Sequence, residues 1–359
     1  MHLREVELGD LHALASEWDA LAAQAASPFL TTAWLTCWGR AFATRDTRAL
    51  VLESDGRLLA GGCFVDDRRG GLASAANSHS NDWDIVALDD EARGHFWEAL
   101  AVLRLRRLTA ALLPDGGVAA AATLRALKGA HYRTAEQALP PSPWMELPSS
   151  LDELLRARSR NLRSQVGRRR RALEREGSVT LRTTMGGPAL EPDLESFLAV
   201  EASGWKGASG TAITASASTE TMYRSFAEVA ARLGWLRLYL LELDGEPIAA
   251  DYGCAFAGCG YLIKTGFRED FGHLAPGLVL RAEVVRASME EGLWAYDFLG
   301  GPDPYKLRWT DELRGRATIR AFRGVRSAPS FLWWRGVRPA LKAGHDRVRR
   351  LRGHAVEGP

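Results

Sequence analysis

Apolar positions along the chain switch between a helical and a strand period, and each switch marks off an element. Leu11, Leu14, Trp18 and Leu21 share one face of a predicted helix over 10–25. Ser27-Pro28 breaks that helix, and an aromatic-rich helix carrying Trp34 and Trp38 resumes over 31–42. Two apolar runs, 48–53 and 57–65, flank Ser-Asp-Gly-Arg and predict a hairpin. A strand at 71–75, a helix over 90–105, a strand at 109–113, a helix over 118–128 and an extended piece at 132–147 follow. From 149 to 176 the pattern predicts one long helix, capped by Ser149 or Ser150, with Asp152 and Glu153 in its first turn and Gly177 at its end. A strand (179–183), two helices (190–204 and 219–233) and a second hairpin (236–243 and 247–256, across Asp-Gly-Glu-Pro) come next. The last elements are a strand at 261–267, a helix opened by Pro276-Gly277, a return strand at 294–299 and a closing strand at 317–324. On the Pro276 helix Ala282, Val285, Met289 and Leu293 form the apolar face, which places Arg281, Glu283, Arg286 and Glu290 away from it.

The order of elements in the first half recurs in the second, although residue identity barely repeats. That predicts an α/β (mixed α+β) chain of two similar domains, 1–148 and 149–326, followed by a basic, aromatic tail over 327–359. The 359 residues, 46% hydrophobic and 25% charged, suit a folded chain with ample core. A net charge of only +2 argues against a global field aimed at nucleic acid or membrane. Cys37, Cys63, Cys254 and Cys259 lie in apolar contexts without metal-ligand spacing, so buried free thiols in a reducing compartment are expected. No secretory leader and no spanning segment stands out, and the expected location is cytoplasmic.

The stretch from Tyr261 to Trp309 concentrates the candidate chemistry. A strand, a helix start that attracts anions and a return strand make a place for a phosphorylated carrier. Asp251, inside the apolar run IAADYGCAF, is a candidate base or half of a buried ion pair. Glu201 and Lys206 flank Trp205 ahead of a Gly-Ser loop, as a clamp or an exposed ion pair would. Lys306 is placed to hold a phosphate or carboxylate, or Tyr305 or Tyr261 to protonate a leaving group. Nine arginines between Arg156 and Arg175 form either a solvated face or a surface for tRNA or an anionic membrane. Asn81, Asp82 and Asp84 make a polar loop expected to contact an acceptor between the domains. His79 alone supplies no metal site there, and none is expected.

Six pieces occur in order: R-N-L-R (Arg160–Arg163), E-x-x-x-W-K (Glu201–Lys206), D-G-x-P-I-A (Asp244–Ala249), P-G (Pro276-Gly277), D-F-L-G-G (Asp297–Gly301) and Y-K-x-x-W (Tyr305–Trp309). Together they resemble the CelD/BcsL-like group of bacterial GNAT-fold acyltransferases, named for an association with cellulose biosynthesis and akin to the FemABX peptidyltransferases. The match covers 150–325, and the first half resembles a degenerate leading domain. The resemblance implies tandem GNAT-like domains, each a mixed, largely antiparallel sheet flanked by helices. It also implies an acyl donor, usually acetyl-CoA, between two splayed strands. The donor-contacting residues would then be Lys264, Gly266, Phe267, Arg268, Gly272, Pro276, Gly277 and Leu278. Asp251, Asp297, Glu201 and Lys306 would be catalytic. Asn81, Asp84, Asn161, Arg163, Trp205, Lys206, Tyr305 and Trp309 would face the acceptor. One departure stands out: the superfamily's phosphate loop reads R/Q-x-x-G-x-G/A, whereas Arg268 is followed by Gly272 and then Gly277.

The resulting expectation is direct acyl transfer from acyl-CoA to an amine or hydroxyl of a sugar, cell-envelope precursor or small metabolite, without metal. The alternatives are an aminoacyl-tRNA donor, as the FemABX kinship implies, and a non-catalytic accessory role in polysaccharide assembly with the tail anchored peripherally at the inner membrane face.

Overall fold

A computed structural model describes residues 1–43, 47–67, 70–115, 118–204 and 210–337. In chain order the elements are β1 (His2–Glu7), α1 (Ala15–Gln24), α2 (Thr32–Phe42), β2 (Thr47–Ser54), β3 (Arg57–Asp67), β4 (Gly71–Ser74), β5 (Val86–Ala87), α3 (Asp90–Val102), β6 (Arg107–Asp115), α4 (Val118–Gly129) and β7 (Arg133–Glu146). They continue with α5 (Leu151–Ala157), α6 (Arg160–Glu176), β8 (Val179–Thr184), α7 (Leu190–Ser203), α8 (Ala217–Arg232), β9 (Leu236–Leu243), β10 (Glu246–Phe256), β11 (Cys259–Phe267), α9 (Pro276–Glu290), β12 (Ala295–Asp297), β13 (Leu313–Phe322) and α10 (Ala328–Leu332).

Contacts group the chain into two units that interleave along the sequence, where the sequence pattern suggests two consecutive blocks. One unit draws on Met1–Glu7, Asp46–Leu139 and Arg316–Pro359, the other on Leu8–Arg45 and Pro140–Gly315. In the first, β1-β2-β3-β4-β6-β13 run side by side and β5 pairs with β3. β1 to β4 are successively antiparallel, while β4 and β6 are parallel. α3 and α4 supply Phe96, Trp97, Leu100 and Leu127 to a core shared with Phe64, Trp83, Leu113 and, from β13, Ile319. Both Asp55 and Gly56 have positive φ (51° and 77°), the two-residue turn that Asp-Gly favours between twisted strands. Asp244 and Gly245 repeat it in the other unit (51° and 83°).

In the second unit the order is β7-β12-β11-β10-β9-β8. β8 to β11 are antiparallel neighbours, β11 and β12 are parallel, and β12 is antiparallel to β7. The two faces of β10 serve two helical layers because successive side chains alternate. Asp251 faces α9, whereas Tyr252 faces α7 and α8, with its ring 5.5 Å from those of Phe197 and Tyr223. α6 and α9 bring Leu162, Val166, Leu173, Val279, Leu280 and Val285 onto the α9 side. α2 belongs here: Trp34 packs edge-on against Phe29 (4.7 Å) and against Phe226 of α8 (4.8 Å). Both fully covered faces explain why every residue of β9 is buried.

The helix predicted over 149–176 is broken. Ser150 caps α5 through a bond from the Glu153 amide (3.3 Å), and Ser159 caps α6 through one from Leu162 (3.2 Å). Between them Arg158 leaves the helical path and its guanidinium binds Asp311 with two bonds (2.6 and 2.9 Å), while the Ser159 cap on the α6 backbone competes with helix continuation. The four cysteines are buried and free. Among the described residues no helix is long and apolar enough to cross a membrane, and no metal-ligand cluster occurs.

Gly253 allows the close approach of β10 to its neighbours, since a Cβ there would lie 2.6 Å from the Tyr261 carbonyl oxygen. Gly253→Ala is expected to destabilise by about 1–3 kcal/mol in urea unfolding. Gly94→Ala, where nothing lies within 4 Å of the new methyl group, is expected to be neutral or stabilising.

Candidate active site

The site is set by a strand that loses its neighbour. β11 and β12 pair at Cys259↔Ala295, Gly260↔Tyr296 and Tyr261↔Asp297, and there β12 ends. β11 continues to Phe267, paired with β10 on its other side. Just past the parting Tyr252 faces Lys264 and Gly253 faces Leu262, so Ile263 is an extra residue that bends β11. Beyond Tyr261 the β12-facing backbone groups of β11 have no strand partner among the described residues.

Two side chains turn the chain away from β11 after β12. Asp297 Oδ1 accepts from the Leu299 amide (2.8 Å) and from the Ser142 hydroxyl (3.0 Å). Leu299 and Gly300 both take left-handed φ (52° and 65°). Lys306 Nζ donates to the carbonyls of Leu299 (2.8 Å) and Gly301 (3.2 Å) and lies 2.9 Å from Asp303 Oδ2. Asp297 and Lys306 thus hold this turn, and Lys306 is buried against carbonyl oxygens rather than extended toward an incoming anion. Trp309 is buried in the core, and Tyr305 is part-exposed with its phenol end sunk near Arg281, Asp251 and Asp303.

A polar cluster lies on the α9 side of the parting. Arg281, only 2% exposed, pairs with Asp251 (Nη2–Oδ2 2.8 Å) and donates to the Tyr296 hydroxyl (2.5 Å). This corrects the sequence placement of Arg281 on the polar face of its helix. The missed signal is Asp251 itself, because a carboxylate in an apolar strand needs a cation. Burial opposes the Arg281 charge, but Asp251 more than restores it, leaving the guanidinium above its ordinary range. Burial also pushes the phenols of Tyr296 and Tyr305 up, against the pull of Arg281, so both keep their protons at neutral pH. Tyr296 reaches Arg281 by crossing Gly260, where a Cβ would lie 2.9 Å from its ring.

Around the helix start, Ala275 takes φ 54° and no side chain caps α9. Pro276 is its first residue, and the Leu278 amide bonds back to Ala275. The glycines on either side carry an aromatic cover: a Cβ at Gly272 or Gly277 would sit 3.8 or 3.6 Å from the Phe267 ring. Arg268 is spent on Glu246 and on Asp270 (2.6 Å). Gly266 lets α7 touch β11, since its Cβ would lie 2.8 Å from Glu201 Cα. Glu201 is buried and accepts from the Ile213 amide (2.9 Å). Lys264 Nζ lies 5.5 Å from the Tyr223 ring centre. Asn161 accepts from Gln165 (2.8 Å), which accepts from Arg308 (2.5 Å), while Arg163 is exposed. Trp205 and Lys206 lie outside the described residues. Asn81 and Asp84 belong to the other unit. There Arg316 binds the Asn81 carbonyl (2.8 Å), and Asp84, its carboxyl pushed up by burial, pairs with Arg93 (2.7 Å).

Residues 160–307 match the family model described as an acetyltransferase (GNAT) domain. That match spans 148 of the 359 residues. No curated protein sequence matches the chain. Solved structures share the fold. FemX does so at TM-score 0.59 and 12% identity, over 89% of this chain and 97% of that one. The DUF2156 C-terminal domain of an Agrobacterium fabrum protein assigned as a lysylphosphatidylglycerol synthetase does so at 0.57 and 13%, over 90% and 97%. L-PGS from Bacillus licheniformis does so at 0.52 and 15%, over 84% and 90%. At such identities the likeness is one of fold: mixed α/β, with largely antiparallel sheet flanked by helices.

Asp251→Ala leaves a buried guanidinium without its partner and is expected to cost about 3–5 kcal/mol in denaturant unfolding. The double variant Asp251→Leu/Arg281→Met removes both charges and is expected to recover most of that loss.

Proposed function

We propose that the GNAT-type domain transfers an acyl group from acyl-CoA to an amine or hydroxyl of a sugar or cell-envelope precursor. The observation carrying this reading is the parting of the two parallel strands: β12 ends at Asp297, opposite Tyr261, while β11 runs on to Phe267. An extended donor arm could lie there as a short extra strand, with backbone N–H groups donating to the thioester carbonyl as charge develops on it. The acceptor attacks the carbonyl carbon directly; the new C–N or C–O bond forms and the C–S bond breaks. Tyr305, whose phenol burial holds protonated, gives the departing thiolate its proton. Tyr261 suits this less, because its hydroxyl is already donated to the Ala26 carbonyl. Asp251, Asp297 and Glu201 are each engaged in holding the fold, so the acceptor's proton passes to solvent in this reading. The acceptor class rests on the CelD/BcsL resemblance. Titration calorimetry with acetyl-CoA tests the donor: heat is expected with wild type and with Tyr305→Phe. No heat at about 1 mM donor, which bounds binding below about 4 kcal/mol, sinks the acyl-CoA reading.

A second donor, aminoacyl-tRNA, is favoured by two observations. Glu269 and Asp270 stand next to the helix start while Arg268 is already neutralised, which is a poor setting for a diphosphate. And α6 presents Arg160, Arg163, Arg168, Arg171 and Arg175 to solvent at spacings of three to five residues, on one side of the helix. This reading predicts tRNA affinity that falls steeply with salt. Arg163→Gln and Arg171→Gln would each reduce the log–log salt slope by about 1. Binding of neither donor leaves only an accessory role.

A further inference from the structure

We infer that the segment from Val325 to Arg335 is a docking face for an anionic lipid surface. It follows β13 as a short 3-10 turn (Val325–Ser327), α10 and a wider turn over Trp333–Val337. Its inner side is fixed. The Phe331 ring lies 6.1 Å from that of Phe322, with the guanidinium groups of Arg133 and Arg335 over it at 5.4 and 5.8 Å. Trp334 lies under Arg320 at 3.7 Å, and the buried Ser327 hydroxyl bonds to the carbonyls of Arg323 (2.9 Å) and Gly324 (2.8 Å).

Its outer side is apolar. Val325 is 88% exposed, Leu332 63% and Trp333 46%, and the exposed Arg326 stands among them. An inner aromatic side already serves the core, and the outward Leu-Trp pair leaves much of its apolar surface uncovered. Trp and Leu beside arginine is the chemistry of a bilayer interface, where the indole sits at headgroup depth and guanidinium groups meet phosphate. The sequence continues the same charge: between 338 and 352 stand Arg338, Lys342, Arg347, Arg349, Arg350 and Arg352 against a single acid, Asp346. That positive balance repels a second copy of the chain and suits an anionic surface. The arginine face of α6, by contrast, carries no exposed large apolar residue. The inference stands apart from the transfer chemistry, since it is measured without donor or acceptor.

Co-sedimentation of the full chain with phosphatidylcholine vesicles, with and without phosphatidylglycerol, tests it. Binding is expected to rise with phosphatidylglycerol. Leu332→Ser/Trp333→Ser is expected to lower the partition coefficient about tenfold or more with an unchanged thermal midpoint, and Trp333→Tyr to retain binding. Three results would overturn the inference: binding no greater than to neutral vesicles, a double variant that binds like wild type, or complete loss of wild-type binding in added salt. The last two would mean adsorption by charge alone. Should the double variant unfold, Val325→Ser, exposed and outside α10, provides the same comparison with a smaller expected loss.

Discussion

Every backbone N–H and C=O in a sheet needs a partner, and among the described residues β11 loses its neighbouring strand at Tyr261, where β12 ends. Much else in the second unit follows from how that gap is kept open. The bulge at Ile263 bends β11, Asp297 and Lys306 fold the outgoing chain back on itself, and Gly266 brings α7 down onto the other side of the strand. A gap between two strands that part is suited to an extended ligand that supplies its own carbonyls and amides.

The acidic residues that look most catalytic in the sequence are the ones that build this gap. Asp251 balances Arg281, Asp297 ties the turn, and Glu201 closes the end of α7 onto Ile213. A carboxylate already hydrogen-bonded or ion-paired in this way is a poor proton acceptor. In the proposed reading the chemistry therefore falls to backbone donors and a protonated tyrosine. Backbone donors leave no trace in residue identity, because any side chain can be attached to them.

What was legible in the sequence was local. The Asp-Gly turns at Asp55 and Asp244, the Ser150 cap and the Pro276 start follow from short-range conformational preference, and the structure has each. What was not legible depends on partners far along the chain. Apolar periodicity says that α2 is buried but not that Phe226 is what buries it. Arg281 reads as a surface residue until Asp251 is opposite it, and the partner of Arg158, Asp311, lies far along the chain. β1 escaped notice because, as an edge strand beside β2, it is mostly exposed and lacks an apolar face.

The interleaving of the two units also bears on how the chain can be made. A ribosome that has finished residue 148 has completed neither unit: α1 and α2 still lack α8, and the core of the first unit still lacks Ile319 and Ala321. The amino-terminal aromatic helix must therefore stay exposed, or be shielded by something else, until residue 226 emerges. The first unit closes only with β13, near the end of synthesis. Cutting the gene at the apparent midpoint yields two fragments that each lack part of their own core.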